Sequence, residues 1–403
     1  MKKIRIAVVL ALALVALVLA GVAAFPSLLP THFESDNAVA HREVAACKAA
    51  TTEAQKEICY QKNVPTLMDA GLSMERTFSV VRLIQQLDPG YQSCHVLAHL
   101  VTSKEVARDP SKWKDVVVRS PMGICGSGAV HGAFQERFRL ESLGTVSVDE
   151  MKGMLAGVCD PRGAWNPTLL DRSSCMHGMG HLFLYVTQAD VKKSVALCAA
   201  IAKLPDYDFR QTCYEGVFMQ LYQPLEPEDE VLVHEVGPLA KNTKKFCSQF
   251  TGLVYNTCVK ESWPDVPGSS TDPHIMEALC NLSSDRSAEL YCASAIIYPV
   301  IETLHYDVPK IEEFCRGIVD PDFRNSCWAR TASKFVWADW KNVAKAVGIC
   351  NDAPQEAKQS CWMELVTYAE QGMPQGSVEA KTLCDAIPDE WHDSCYQKTR
   401  TVR

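Results

Sequence analysis

Along most of the chain, apolar residues recur with the period of an α-helix and not with the strict alternation of a strand. Amphipathic stretches end on a cysteine, as from Met276 to Cys280 and from Ile311 to Cys315. A polar, turn-forming segment follows, such as Gly317 to Asp322 or Ala386 to Glu390. A second cysteine then opens another apolar-rich stretch, as from Cys292 to Ile297 and from Cys361 to Val366. Proline and glycine fall in the connecting segments, where helical hairpins tolerate them. The pattern predicts an all-α fold of successive two-helix hairpins, an α-solenoid-like array.

One segment departs from this. Residues Ile6 to Phe25 form an unbroken apolar run behind Lys2, Lys3 and Arg5. A basic head before an apolar run is an export signal. As a helix the run spans about 30 Å, enough to cross a bilayer. Two readings follow for residues 1–25: an N-terminal membrane-spanning signal anchor, or a signal peptide cleaved after Ala24. In both, the basic end stays inside and the rest lies outside the cytoplasm. The first makes the membrane a partner; the second makes the protein secreted.

The cysteines set the period of the array. There are 18, an even number, and none stand in a Cys-x-x-Cys motif. That excludes thioredoxin-like redox chemistry, zinc ribbons and covalent haem attachment. In an exported chain such cysteines form disulfides. The spacing pairs Cys47 with Cys59, Cys159 with Cys175, Cys198 with Cys213, and Cys247 with Cys258. It also pairs Cys280 with Cys292, Cys315 with Cys327, Cys350 with Cys361, and Cys384 with Cys395. Cys94 and Cys125 remain, and by elimination they pair with each other. From Cys247 onward the first cysteines step by 33, 35, 35 and 34 residues, a period proper to two-helix solenoid repeats. The arrangement resembles the cysteine-rich helical-repeat proteins, tetratricopeptide-like hairpins with disulfides inside each repeat. The resemblance is architectural. The chain divides into the 1–25 leader, a 26–40 tether, a His/Gly-rich repeat half over 41–225, and a regular Cys-paired half over 240–403.

Composition narrows the function. Hydrophobic residues make up 47% of the 403, so a sizeable core is available. The net charge is −8, and setting aside the basic leader residues makes the remainder more acidic still. An acidic chain without a basic stripe is not a nucleic-acid binder.

The chemistry concentrates where the cysteine pattern is interrupted. His95 and His99 follow Cys94, His131 follows Cys125, and His177 and His181 follow Cys175. His95/His99 and His177/His181 are i,i+4 pairs, so each can chelate one ion from one helix face. Stacked repeats would bring all five imidazoles to one surface. Imidazole suits copper and zinc, and Met176, Met179 and Met219 nearby add soft donors that favour copper. A haem b held by two axial histidines is a further reading. The spacing is not that of a His-Glu-x-x-His protease, so a water-activating base must come from elsewhere, with Glu215 and Glu136 as candidates. Glycines 126, 128, 132, 178, 180 and 216 imply close approach of a helix or a ligand. Three functions stay open: a metal-dependent oxidoreductase or hydrolase, a non-catalytic scaffold binding a peptide or protein, and a copper or haem carrier.

Overall fold

The computed structural model describes residues 34–402 apart from 51, 89–90, 92–93, 122–123, 126–127, 139–147, 164 and 225–226. The described residues form helices, turns and two isolated bridges, with no strand among them. They divide into two compact units, one ending at Tyr91 and one running from Gln92 to Arg403.

The first unit contains α1 (Asp36–Cys47), α2 (Glu53–Asn63) and α3 (Met74–Leu87). The second begins with α4 (His95–Arg108), α5 (Trp113–Arg119), α6 (Gly128–Phe138), α7 (Val148–Leu155), α8 (Leu169–Val186), α9 (Val191–Ile201) and α10 (Arg210–Tyr222). It continues with α11 (Pro227–Val233), α12 (Gly237–Ala240), α13 (Thr243–Cys247), α14 (Gly252–Glu261), α15 (Pro273–Cys280) and α16 (Arg286–Thr303). The last three hairpins are α17 (Val308–Gly317) with α18 (Pro321–Ala338), α19 (Val343–Asp352) with α20 (Gln355–Gly372), and α21 (Val378–Ala386) with α22 (Asp389–Thr399).

The second helices of the hairpins pack side by side. In order, α4, α6, α8, α10, α14, α16, α18, α20 and α22 each touch the next. In addition α20 packs back on α8. The shorter first helices are amphipathic: α17 buries Ile311, Phe314 and Cys315, three and four apart. The long second helices have neighbours on two sides and bury a wider stripe, in α18 from Phe323 through Trp328 to Val336.

Aspartates start many of these helices. Asp272, Asp285, Asp307 and Asp320 each accept a hydrogen bond from a first-turn backbone N–H, and proline opens the turn in three of the four. Each such cap contributes about 1 kcal/mol. These caps also move the helix starts. The second cysteine was expected to open its helix, yet it is the seventh residue of α8, α14, α16, α18, α20 and α22. Polar segments such as Arg286 to Tyr291 are therefore the first turns of helices and not connections. The acidic stretch after Pro224 likewise holds α11, opened by Pro227 at the position where proline suits a helix.

Nine disulfides use all 18 cysteines. Eight join the first helix or turn of a hairpin to its second helix across Cα separations of 5.4 to 5.7 Å. The ninth, Cys94–Cys125, ties the starts of α4 and α6 at a Cα separation of 4.8 Å. The chain is thus a cysteine-rich array of helical hairpins, and its bridges belong to an oxidising compartment outside the cytoplasm.

The expectation of a membrane-spanning helix is corrected. No helix among the described residues is long and apolar enough to cross a membrane. The 1–25 segment on which the span was placed lies outside the described residues.

The Cys94–Cys125 bridge closes a 31-residue loop, the longest of the nine. Changing both cysteines to serine is expected to cost about 3–4 kcal/mol by freeing the unfolded chain. Chemical denaturation of the double variant against the parent measures this, and a shift below 1 kcal/mol would contradict it.

Candidate metal centre

Three helices carry the histidines: α4 has His95 and His99, α6 has His131, and α8 has His177 and His181. The spacing of four in α4 and α8 turns each pair to one face. What brings the three faces together is the absence of side chains between the helices. A Cβ on Gly128 would stand 2.4 Å from the carbonyl oxygen of His95, and one on Gly132 2.4 Å from that of His99. Hence α4 and α6 meet backbone to backbone. The same holds for α8 and α10, where a Cβ on Gly180 would stand 2.0 Å from Cys213 O and one on Gly216 2.0 Å from His177 O. Gly178 has another task. A Cβ there would stand 2.6 Å from His131 Cδ2, so its absence leaves room for that ring.

The five imidazoles form two triads that share His131: His95, His99 and His131, and His131, His177 and His181. Within each, the ligand atoms lie within 4.8 Å of one another. In the first, His95 Nε2 is 3.1 Å from His99 Nε2 and 3.2 Å from His131 Nδ1. In the second, His177 Nε2 and His181 Nε2 are 3.1 Å apart, and Met219 Sδ on α10 lies 3.3 Å from His177 Nε2.

The outer nitrogens are anchored, and this sets the tautomers. His95 Nδ1 faces the carbonyl oxygen of Cys125 at 3.1 Å. A carbonyl only accepts, so Nδ1 carries the proton and Nε2 keeps its lone pair. His181 Nδ1 faces Gln220 Oε1 at 2.5 Å, with the same result. His177 is held by the backbone of Thr212 and His99 by the side chain of Gln135. In the second triad, the His181 Nε2 lone pair therefore points at His177 Nε2 across 3.1 Å. Such an arrangement asks for a cation between them. A proton is a poor choice, because burial and then the neighbouring imidazoles push His95, His131 and His177 well below the usual histidine range. Burial also brings His99 and His181 down to about 4. A metal ion, held by neutral imidazoles, fits.

Other candidate residues fall differently. Met176 and Met179 are buried on another face of α8 and line a cavity of about 200 Å³ with Leu155, Ala200 and Ile201. Only Met219 of the three methionines reaches a histidine. Glu215, also on α10, pairs with Lys260 at 2.9 Å and accepts from the Tyr291 hydroxyl. Lys260 also pairs with Glu261 at 2.7 Å. Glu136 is on α6, five residues beyond His131, half-buried. Neither glutamate belongs to a triad. Gln220, Thr212 and Gln135 carry no chemistry of their own, and only their contact with an imidazole marks them.

No protein-family model, curated protein or solved structure matches the chain. Its class therefore rests on its own geometry: a disulfide-bonded helical-repeat protein with a cluster of five histidines, three buried and two half-buried, that could hold metal.

Two outcomes test this construction. Gly216→Ala is expected to destabilise the protein by about 1–3 kcal/mol through overpacking. Gly153→Ala, on α7 with nothing within 4 Å of the added carbon, is the control and should be neutral or slightly stabilising. Equal melting shifts for the two would contradict the close approach of α8 and α10. The second outcome concerns acid. In the metal-free protein, His99 and His181 stay neutral down to about pH 4, whereas the unfolded chain takes up protons from about 6.5. The unfolded state then holds more protons in that window, so stability is full above 6.5 and falls as pH drops towards 4. Denaturation midpoints at pH 7.5, 5.5 and 4.5 check the sign, and a flat profile would refute it.

Proposed function

We propose that this chain is a metal-binding protein of an extracytoplasmic, oxidising compartment, and that its histidine cluster takes copper. The observation that carries the reading is the close approach of His177 Nε2 and His181 Nε2, 3.1 Å apart, with a thioether beside them. Two imidazole nitrogens on one ion at 2.0–2.1 Å in a tetrahedral arrangement lie about 3.3 Å apart, close to what is present. Thioether sulfur is a soft donor that favours copper over zinc. Haem is disfavoured, since axial ligands must stand on opposite faces of a porphyrin and these nitrogens are nearly in contact. Hydrolysis is disfavoured as well, because neither candidate base, Glu215 or Glu136, belongs to a triad, and Glu215 is ion-paired with Lys260. Binding, transfer or one-electron chemistry of copper suits a site made of neutral ligands.

The test is elemental analysis with a visible spectrum on purified, oxidised protein incubated with copper and desalted. Stoichiometric copper without a Soret band is expected. Changing His177 and His181 together to alanine should remove at least half of the bound copper. No retained metal in the parent protein, from copper or from zinc, would sink the proposal.

A further inference from the structure

We propose that the cluster is a two-metal centre in which the His131 ring bridges the ions. In it, Nδ1 binds one ion with His95 and His99, while Nε2 binds the other with His177, His181 and Met219. This rests on the metal-binding reading above and adds stoichiometry, connectivity and a division of labour.

Four observations lead to it. The triads have one residue in common, and it is His131. Its two nitrogens face different partners: Nδ1 is 3.2 Å from His95 Nε2, whereas Nε2 is buried with no hydrogen-bond partner among the described residues. Leaving a buried polar nitrogen unpaired costs about 1–3 kcal/mol, and a ligated ion removes that cost. The His131 ring lies 4.7 Å from His181 and 5.5 Å from His177 between centroids, stacked on the latter at 25°. That places the His131 ring against the second triad. Finally, a Cβ on Gly178 would stand 3.2 Å from this same Nε2, so the glycine keeps its approach open.

The anchored tautomers complete the geometry. His95 and His181 present Nε2 lone pairs inward because their Nδ1 protons are committed outward. A bridging ring must offer two lone pairs. On binding both ions, neutral His131 therefore gives up its single ring proton to solvent and becomes imidazolate, with no electron transferred. It then supplies the one anionic ligand in a centre whose triads contain no carboxylate. The two positions are unequal. The first has three nitrogens, which suits zinc or copper; the second adds sulfur, which suits copper.

The full oxidised protein is titrated with Cu(II) in air, with metal counted after desalting and spins counted by electron paramagnetic resonance. Two ions per chain are expected, with most of the signal of two isolated Cu(II) spins lost through coupling across the imidazolate. His131→Ala, checked for folding by circular dichroism, should restore full signal for whatever copper it retains. Met219→Leu should weaken the second copper by roughly tenfold or more and leave the first. One copper per chain at saturation would overturn the bridge and leave the metal-binding reading intact. Two coppers with full, uncoupled signal in the parent would also overturn it, whether or not the His131 variant folds. No copper at all would overturn both. An unchanged second affinity in Met219→Leu would overturn the place given to sulfur.

Discussion

A carbon atom added to Gly216 would fall 2.0 Å from a backbone oxygen of α8, and one added to Gly132 would meet α4 at 2.4 Å. Those contacts set the distance between the helices, and the histidines follow from it. With ordinary side chains at these crossings, the helix axes would stand farther apart, at the 8–10 Å typical of packed helices. Imidazoles now 3.1 to 3.2 Å apart across or along the helices would then lose their common centre. The cost is local, since glycine weakens a helix by up to about 1 kcal/mol relative to alanine. Bridges close to each crossing, such as Cys94–Cys125 and Cys198–Cys213, hold these weakened helices in register.

Burying five neutral imidazoles together is unfavourable in an apo protein, and the surroundings are built to limit the damage. Outer nitrogens are tied to Cys125, Thr212, Gln135 and Gln220. Such outer partners orient ligands and raise their basicity. Burial outweighs them and holds protonation down, which leaves the rings neutral at neutral pH. Beside them, Lys260 is ion-paired with both Glu215 and Glu261 in the wall formed by α10 and α14.

Much of the fold could be read because its constraints are local. Each hairpin bridge spans 11 to 16 residues, so cysteine spacing alone outlines the repeat. The i,i+4 histidine pairs were legible for the same reason, since one helical turn places them on one face. Helix starts were less so: Asp285 and Asp320 cap segments that look like turns in composition. Contacts that no repeat spacing marks were not legible. Glu215 looks like a free base in its own stretch, and Tyr291, 76 residues away, is part of what occupies it. The three methionines look equivalent by composition, but rotation about α8 sends Met176 and Met179 to a different cavity.

The connectivity of the bridges has a consequence for how the chain matures. Every disulfide joins cysteines that are neighbours in sequence order, and no bridge crosses or encloses another. A polypeptide that reaches an oxidising compartment amino end first can therefore be oxidised pair by pair, each partner arriving next. With 18 thiols the number of wrong pairings is enormous, yet sequential oxidation would reach the native set with little reshuffling. Low contact order in each hairpin favours the same route. The slowest link is Cys94, which must wait through α4 and α5 for its partner. That pause falls at the threshold of the histidine cluster, so oxidation has its point of greatest exposure to error beside the residues that could hold metal.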